Sequence, residues 1–137
     1  MAVIDASVWV SFSKEDDLFH EQAKDIIFSL IANHEGISIP AIAFTEVAGA
    51  VKRRWKNKNA AVAKDIAMNA VRKMKEMATE VLTNLDELEP LATEIAAHYG
   101  IKGADACYLA VAEITGANLV TFDKEQEKAF EEMCKIR

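Results

Sequence analysis

Short apolar runs recur along this chain, and each is followed by a longer stretch with helical spacing. Ala2–Ile4 is an apolar run ending at Asp5, the pattern of a buried strand. From Asp17 to Ala32 apolar residues recur at Leu18, Ala23, Ile26, Ile27, Leu30 and Ile31, which predicts an amphipathic helix capped at Asp16 or Asp17 and closed by Gly36. Ile37–Ile39 is a second strand, stopped by Pro40. A helix follows to about Trp55, and another runs from about Asn59 to Met77. Val81–Leu82 is a brief strand. Asp86 to Tyr99 is helical, with Gly100 as its stop. Asp105 to Thr115 is a helix closed by Gly116, Leu119–Phe122 is a strand ending at Asp123, and Lys124 to Phe130 is again helical. Strands alternating with helices predict an α/β domain with a parallel sheet flanked by helices on both faces. No repeat, low-complexity tract or linker divides it, so residues 1–137 are expected to form one domain.

About half of the residues are apolar, enough for one core, yet no stretch is long and apolar enough for a membrane span. The start, MAVIDAS, lacks the basic-then-apolar pattern of a secretory signal, so a cytoplasmic location is expected. Cys107 and Cys134 are far apart and show no C-x-x-C spacing, which argues against a disulfide framework or a zinc site. Histidines 20, 34 and 98 are scattered and suggest no metal site.

In an open α/β sheet, ligands collect beyond the carboxyl ends of the strands. Asp5 and Asp123 follow strands. Glu46 lies about two turns into the helix after Ile37–Ile39, within AIAFTEVAGAV. Asp105 opens a helix, within GADACYLAVA. An acid in an apolar setting must be paired or bound to metal. Each has an ordinary reading alone: Asp5 and Asp105 as helix caps, Asp123 as a turn or cap residue, Glu46 as a partner of Lys52 or Arg53. Four acids converging on one sheet edge are harder to explain that way. Carboxylates without histidine or cysteine select hard cations such as Mg²⁺ or Mn²⁺. Such a site polarises a phosphoryl oxygen, lowers the pKa of a bound water and orients in-line attack.

The net charge of −6 opposes nucleic-acid binding at first sight, but the distribution does not. Between Lys52 and Lys75 stand nine basic residues and one acid, a net +8; the other seven basic and 21 acidic residues carry −14. Lys52, Arg53, Arg54, Lys56 and Lys58 form its densest part. Two readings stand: a cationic segment that grips phosphates, or a solvated helix face.

The segments VIDASVWV, PAIAFTEV and YGIKGADACYLAVAEITGANLVTFDKE, in that order and spacing, resemble the PIN domain, most of all the toxin ribonucleases of VapBC-type toxin–antitoxin pairs. The resemblance spans nearly the whole chain, and its C-terminal block is the most specific part. It implies a three-layer α/β/α sandwich and a metal-dependent ribonuclease. Asp5, Glu46, Asp105 and Asp123 would hold Mg²⁺ or Mn²⁺, with Asp5 and Asp105 as direct ligands. Ser7 and Thr121 match hydroxyl positions that orient a carboxylate or a metal-bound water. It also implies an RNA substrate, a homodimer, and a small antitoxin whose C-terminal segment approaches the acidic site. Many relatives carry a further acid after the last Asp; here Glu125 and Glu127 are the candidates.

The alternatives are an RNA-processing or DNA-acting nuclease of the same fold without an antitoxin, and a PIN-like module that binds RNA or protein without cutting. The latter is expected to lose one or more of the four acids. A phosphotransferase of the haloacid-dehalogenase type needs a second acid where Ser7 stands. A homodimer is also suggested by Val47, Val51, Trp55, Ile66, Met68, Val71 and Met74, more apolar residues than one side of a small sheet is expected to cover.

Overall fold

A computed structural model describes residues 1–55, 58–83 and 85–136, apart from the side chain of Leu85. Four parallel strands, β1 (Ala2–Ile4), β2 (Ile37–Pro40), β3 (Glu80–Leu82) and β4 (Asn118–Val120), lie in the order β3-β2-β1-β4. Among the described residues seven helices surround them: α1 (Ala6–Phe12), α2 (His20–Ala32), α3 (Ile42–Arg54), α4 (Ala60–Met77), α5 (Leu85–Tyr99), α6 (Gly103–Thr115) and α7 (Lys124–Ile136). This is the α/β architecture that the strand–helix alternation predicts.

The central strand β1 is buried along its whole length, which is why it is apolar throughout rather than alternating. Its register pairs Ile4 with Val120, so the residues that follow, Asp5 and Thr121, leave the sheet side by side. Ala2 pairs with Ile37, which brings the end of β2 to the same edge. Helix α6 packs on β1, β2 and β4 with Ala106, Leu109, Ala110, Val111 and Ala112 fully buried. Small side chains on that face let the helix approach closely and carry Asp105 to the strand ends. Gly116, at φ +68°, closes α6 in the left-handed conformation, and Ala117 N donates to Ala112 O (3.1 Å).

Several boundaries differ from expectation. Residues 6–12 form a separate helix, capped by Asp5, and α2 begins at His20 rather than Asp17. Helix α2 closes at His34, which takes φ 56°, while Glu35 N donates to Leu30 O (2.9 Å). Gly36 is needed for a different reason: a Cβ there would stand 3.1 Å from Thr79 Oγ1. Pro40 ends β2 from within, its missing N–H costing nothing at the last strand residue. Strand β4 stops at Val120, which frees Thr121 and Phe122 for the turn that follows. Helix α7 runs on to Ile136, through Cys134 and Lys135.

Candidate active site

Asp5 is 3% exposed, and its carboxylate accepts hydrogen bonds from both turns at the sheet edge. Its Oδ1 accepts from Ser7 N (3.1 Å) and Ser7 Oγ (2.6 Å); its Oδ2 accepts from Thr121 Oγ1 (2.6 Å). Burial raises its pKa, and these hydrogen bonds pull it back down. The cap reading of Asp5 is therefore correct, and it leaves a buried carboxylate at the strand ends. The hydroxyls are fixed in turn: Ser7 Oγ accepts from Phe122 N (3.0 Å), and Thr121 Oγ1 accepts from Asp123 N (2.9 Å).

Asp123 caps α7 through Oδ1, which accepts from Glu125 N (2.9 Å) and Gln126 N (3.3 Å). Glu46 is half-buried on α3. Its Oε1 accepts from Tyr108 Oη (2.9 Å), and it forms no ion pair with Lys52 or Arg53. Asp105 lies in the first turn of α6 but does not cap it; that position belongs to Lys102. Its carboxyl is pushed up to about 6, first by burial and then by the charges of Asp123, Glu46 and Asp5, with Lys102 opposing weakly. Asp105 thus feels the charges of the other three predicted acids, each brought by a different segment of the chain.

None of the four has an ion-pair partner within 4.0 Å among the described residues. Clustered carboxylates without a counter-charge repel one another, and a hard divalent cation is the group that relieves this. The all-oxygen donor set fits Mg²⁺ or Mn²⁺. Among the described residues no three acidic, histidine or cysteine side chains already stand in a closed ligand geometry. Hydroxyl bonds hold Asp5 and Glu46 instead, so closing on an ion would take side-chain rotation.

Two residues of the site went unnoticed in the sequence. Tyr108, fully buried, is one helical turn from Asp105 and reaches across to Glu46, which together with burial pushes its phenol up beyond the normal range. Gln126, 1% exposed, links three parts of the site. Its Nε2 donates to Asp105 O (3.3 Å), its Oε1 lies 3.2 Å from Thr121 Oγ1, and its N donates to Asp123. Tyr108 looks like core in a run of apolar residues; Gln126 is hidden in the polar run DKEQEK. Glu125 and Glu127, the candidate fifth acids, are exposed, and Glu127 pairs with Lys124 (3.6 Å).

Lys52, Arg53, Arg54 and Lys58 are exposed where α3 ends and the chain turns towards α4; Lys56 lies outside the described residues. Arg54 forms an ion pair with Asp17, and Lys58 lies 6.0 Å from the Trp55 ring centroid. Val47, Val51, Val71 and Met74 are buried within the single chain, so they supply no surplus for a dimer; Met68 remains 55% exposed.

The PIN domain family model matches residues 2–132. The chain belongs to the PIN domain family. PIN domains are nucleases, generally dependent on a divalent metal. The fold is similar to that of VapC20 of Mycobacterium tuberculosis, a sarcin–ricin loop cleaving toxin, with a TM-score of 0.73 at 19% identity over 94% of this chain and 95% of that one. It is also similar to PAE2754 of Pyrobaculum aerophilum, with a TM-score of 0.65 at 22% identity over 98% and 93%. No curated protein sequence matches the chain. Among the described residues no helix of this PIN domain is long and apolar enough to cross a membrane.

Proposed function

We propose that this PIN domain is a Mg²⁺- or Mn²⁺-dependent endoribonuclease and the toxin of a toxin–antitoxin pair, acting in the cytoplasm. The observation that carries the reading is Asp105, raised by burial and then by the charges of Asp123, Glu46 and Asp5. Asp5 and Asp105 would be direct ligands; Glu46 and Asp123 would bind directly or through water. A bound ion would polarise a phosphoryl oxygen and activate a water for in-line attack. Ser7 and Thr121 donate to both oxygens of Asp5, which favours its charged form against the burial that opposes it, and Tyr108 donates to one oxygen of Glu46. Lys52, Arg53, Arg54, Lys56 and Lys58 would hold phosphates of the RNA away from the acids, offsetting the repulsion between substrate and site.

An apolar groove of about 630 Å³, lined by Pro40, Ile42, Leu88, Ala96, Gly103 and Cys107, runs beside the start of α6. It would take the apolar C-terminal segment of the antitoxin, two residues from Asp105. Exposed Val62 and Met68 on α4 support a homodimer, which light scattering tests. The decisive experiment is cleavage of a mixed single-stranded RNA pool with Mn²⁺ and with EDTA. Metal-dependent cleavage lost in Asp105→Asn is expected; cleavage that survives EDTA or this substitution rejects the reading.

A further inference from the structure

Phe19 and Phe122 stack with ring centroids 5.2 Å apart and planes 30° from parallel. Phe19 is 44% exposed, and Leu18 beside it is 88% exposed. The ring is held firmly for an exposed group. Its own N donates to Asp17 Oδ2 (3.0 Å), Asp17 is fixed by Arg54, and His20 N donates to Asp17 O (3.1 Å). Phe122 belongs to the acidic site by position. It stands between Thr121, which donates to Asp5, and Asp123, and its N donates to the Ser7 hydroxyl that in turn bonds Asp5. One turn of chain therefore carries Asp123, bonds to Asp5 and backs an exposed aromatic ring.

A group of carboxylates repels a phosphodiester, so part of the affinity for a nucleic acid must come from uncharged contact. Base–aromatic stacking supplies this and tolerates any base, because every base has a π-face. We infer that Phe19, backed by Phe122, is a stacking platform for an unpaired RNA base flanking the scissile phosphate. This rests on the ribonuclease reading and adds to it: bases within an A-form duplex are already stacked, so the platform selects loops and single strands.

The test is steady-state cleavage, with Mn²⁺, of a fluorescein-labelled single-stranded oligoribonucleotide by wild type, Phe19→Ala and Phe19→Tyr, with the same strand annealed to its complement as a second substrate. Phe19→Ala should raise KM about tenfold with kcat little changed, as loss of one stacked base implies. Phe19→Tyr should restore KM, and the duplex should be the poorer substrate for wild type only. An unchanged KM in Phe19→Ala overturns the inference and leaves the nuclease standing. So does a fall in kcat that tracks a lower melting temperature, which marks a packing role, or a changed oligomeric state with KM intact, which marks a protein contact. A wild type that cuts no RNA overturns the ribonuclease reading, and this inference falls with it.

Discussion

Thr121 Oγ1 donates to Asp5 Oδ2 at 2.6 Å, across 116 residues of sequence. The same hydroxyl oxygen accepts from Asp123 N, so one side chain orients two of the four acids. Thr121→Val keeps the shape and removes both bonds. Mn²⁺ affinity, measured by calorimetric titration, should fall by about 10- to 100-fold, the usual cost of removing a group that orients a metal ligand. Thr121→Ser should recover most of it. An affinity equal to wild type would make Thr121 a packing residue.

Asp5 has two roles that different substitutions separate. Asp5→Ala removes the cap of α1 and should cost about 1 kcal/mol of stability. Asp5→Asn keeps an oxygen for Ser7 and lowers the repulsion among the acids. In EDTA it should melt at least as high as wild type, gain less from Mn²⁺ and cut almost no RNA. Melting curves with and without Mn²⁺ check this; an Asp5→Asn protein that melts lower in EDTA yet still cuts with metal would leave Asp5 as a cap alone.

Gln126→Met keeps the volume of a buried side chain but drops its bonds to Asp105 O and Thr121 Oγ1. The stability loss should be about 1 kcal/mol. The Mn²⁺-induced rise in melting temperature should shrink as well, because α6 and the β4–α7 turn lose their tie. A stability loss with an undiminished metal response would confine Gln126 to the core.

Asp105, pushed up to about 6 from an ordinary 3.8, holds its proton more tightly in the folded chain than in the unfolded one. Its contribution to stability is complete below the unfolded value and is lost as pH rises through the folded value. Metal-free protein should therefore lose stability, on this group's account, between about pH 4 and pH 6 as pH rises. Asp105→Asn should flatten that part of the melting-temperature profile, while Mn²⁺ binding by wild type should strengthen over the same range as the competing proton leaves. Parallel wild-type and Asp105→Asn profiles in EDTA would contradict the shift.

For the basic segment, replacing Lys52 and Arg53 with Gln should weaken RNA binding and lower the slope of log affinity against log salt by about two. Arg54→Gln should also lower stability, since the Asp17 side chain, only 8% exposed, loses its ion-pair partner. An unchanged slope in fluorescence anisotropy titrations would mark a solvated face.

Strand ends were the legible part of this site. Asp5 stands out because it directly follows the apolar strand β1, Asp123 because it follows the run that holds β4 after two further residues, and Gly100 and Gly116 mark helix ends through their left-handed backbone. The length of α7 was not legible, because its polar face dominates the sequence and only Gln126, Ala129 and Met133 are buried. The dimer argument misjudged α3 and α4, which cover each other's apolar faces. Tyr108 and Gln126 escaped for a related reason. Their roles depend on neighbours 62 and 21 residues away, which no local pattern encodes.

Because β1 takes its partner β4 from residues 118–120, the order of synthesis matters for this enzyme. A ribosome translating it makes Asp5 more than a hundred residues before the hydroxyl of Thr121 and the amide of Gln126. Until then the nascent chain holds Asp5, Glu46 and Asp105 without the turn that completes the acidic cluster. A chain stalled before residue 118 should therefore be harmless to the RNA around it, the transcript being translated included.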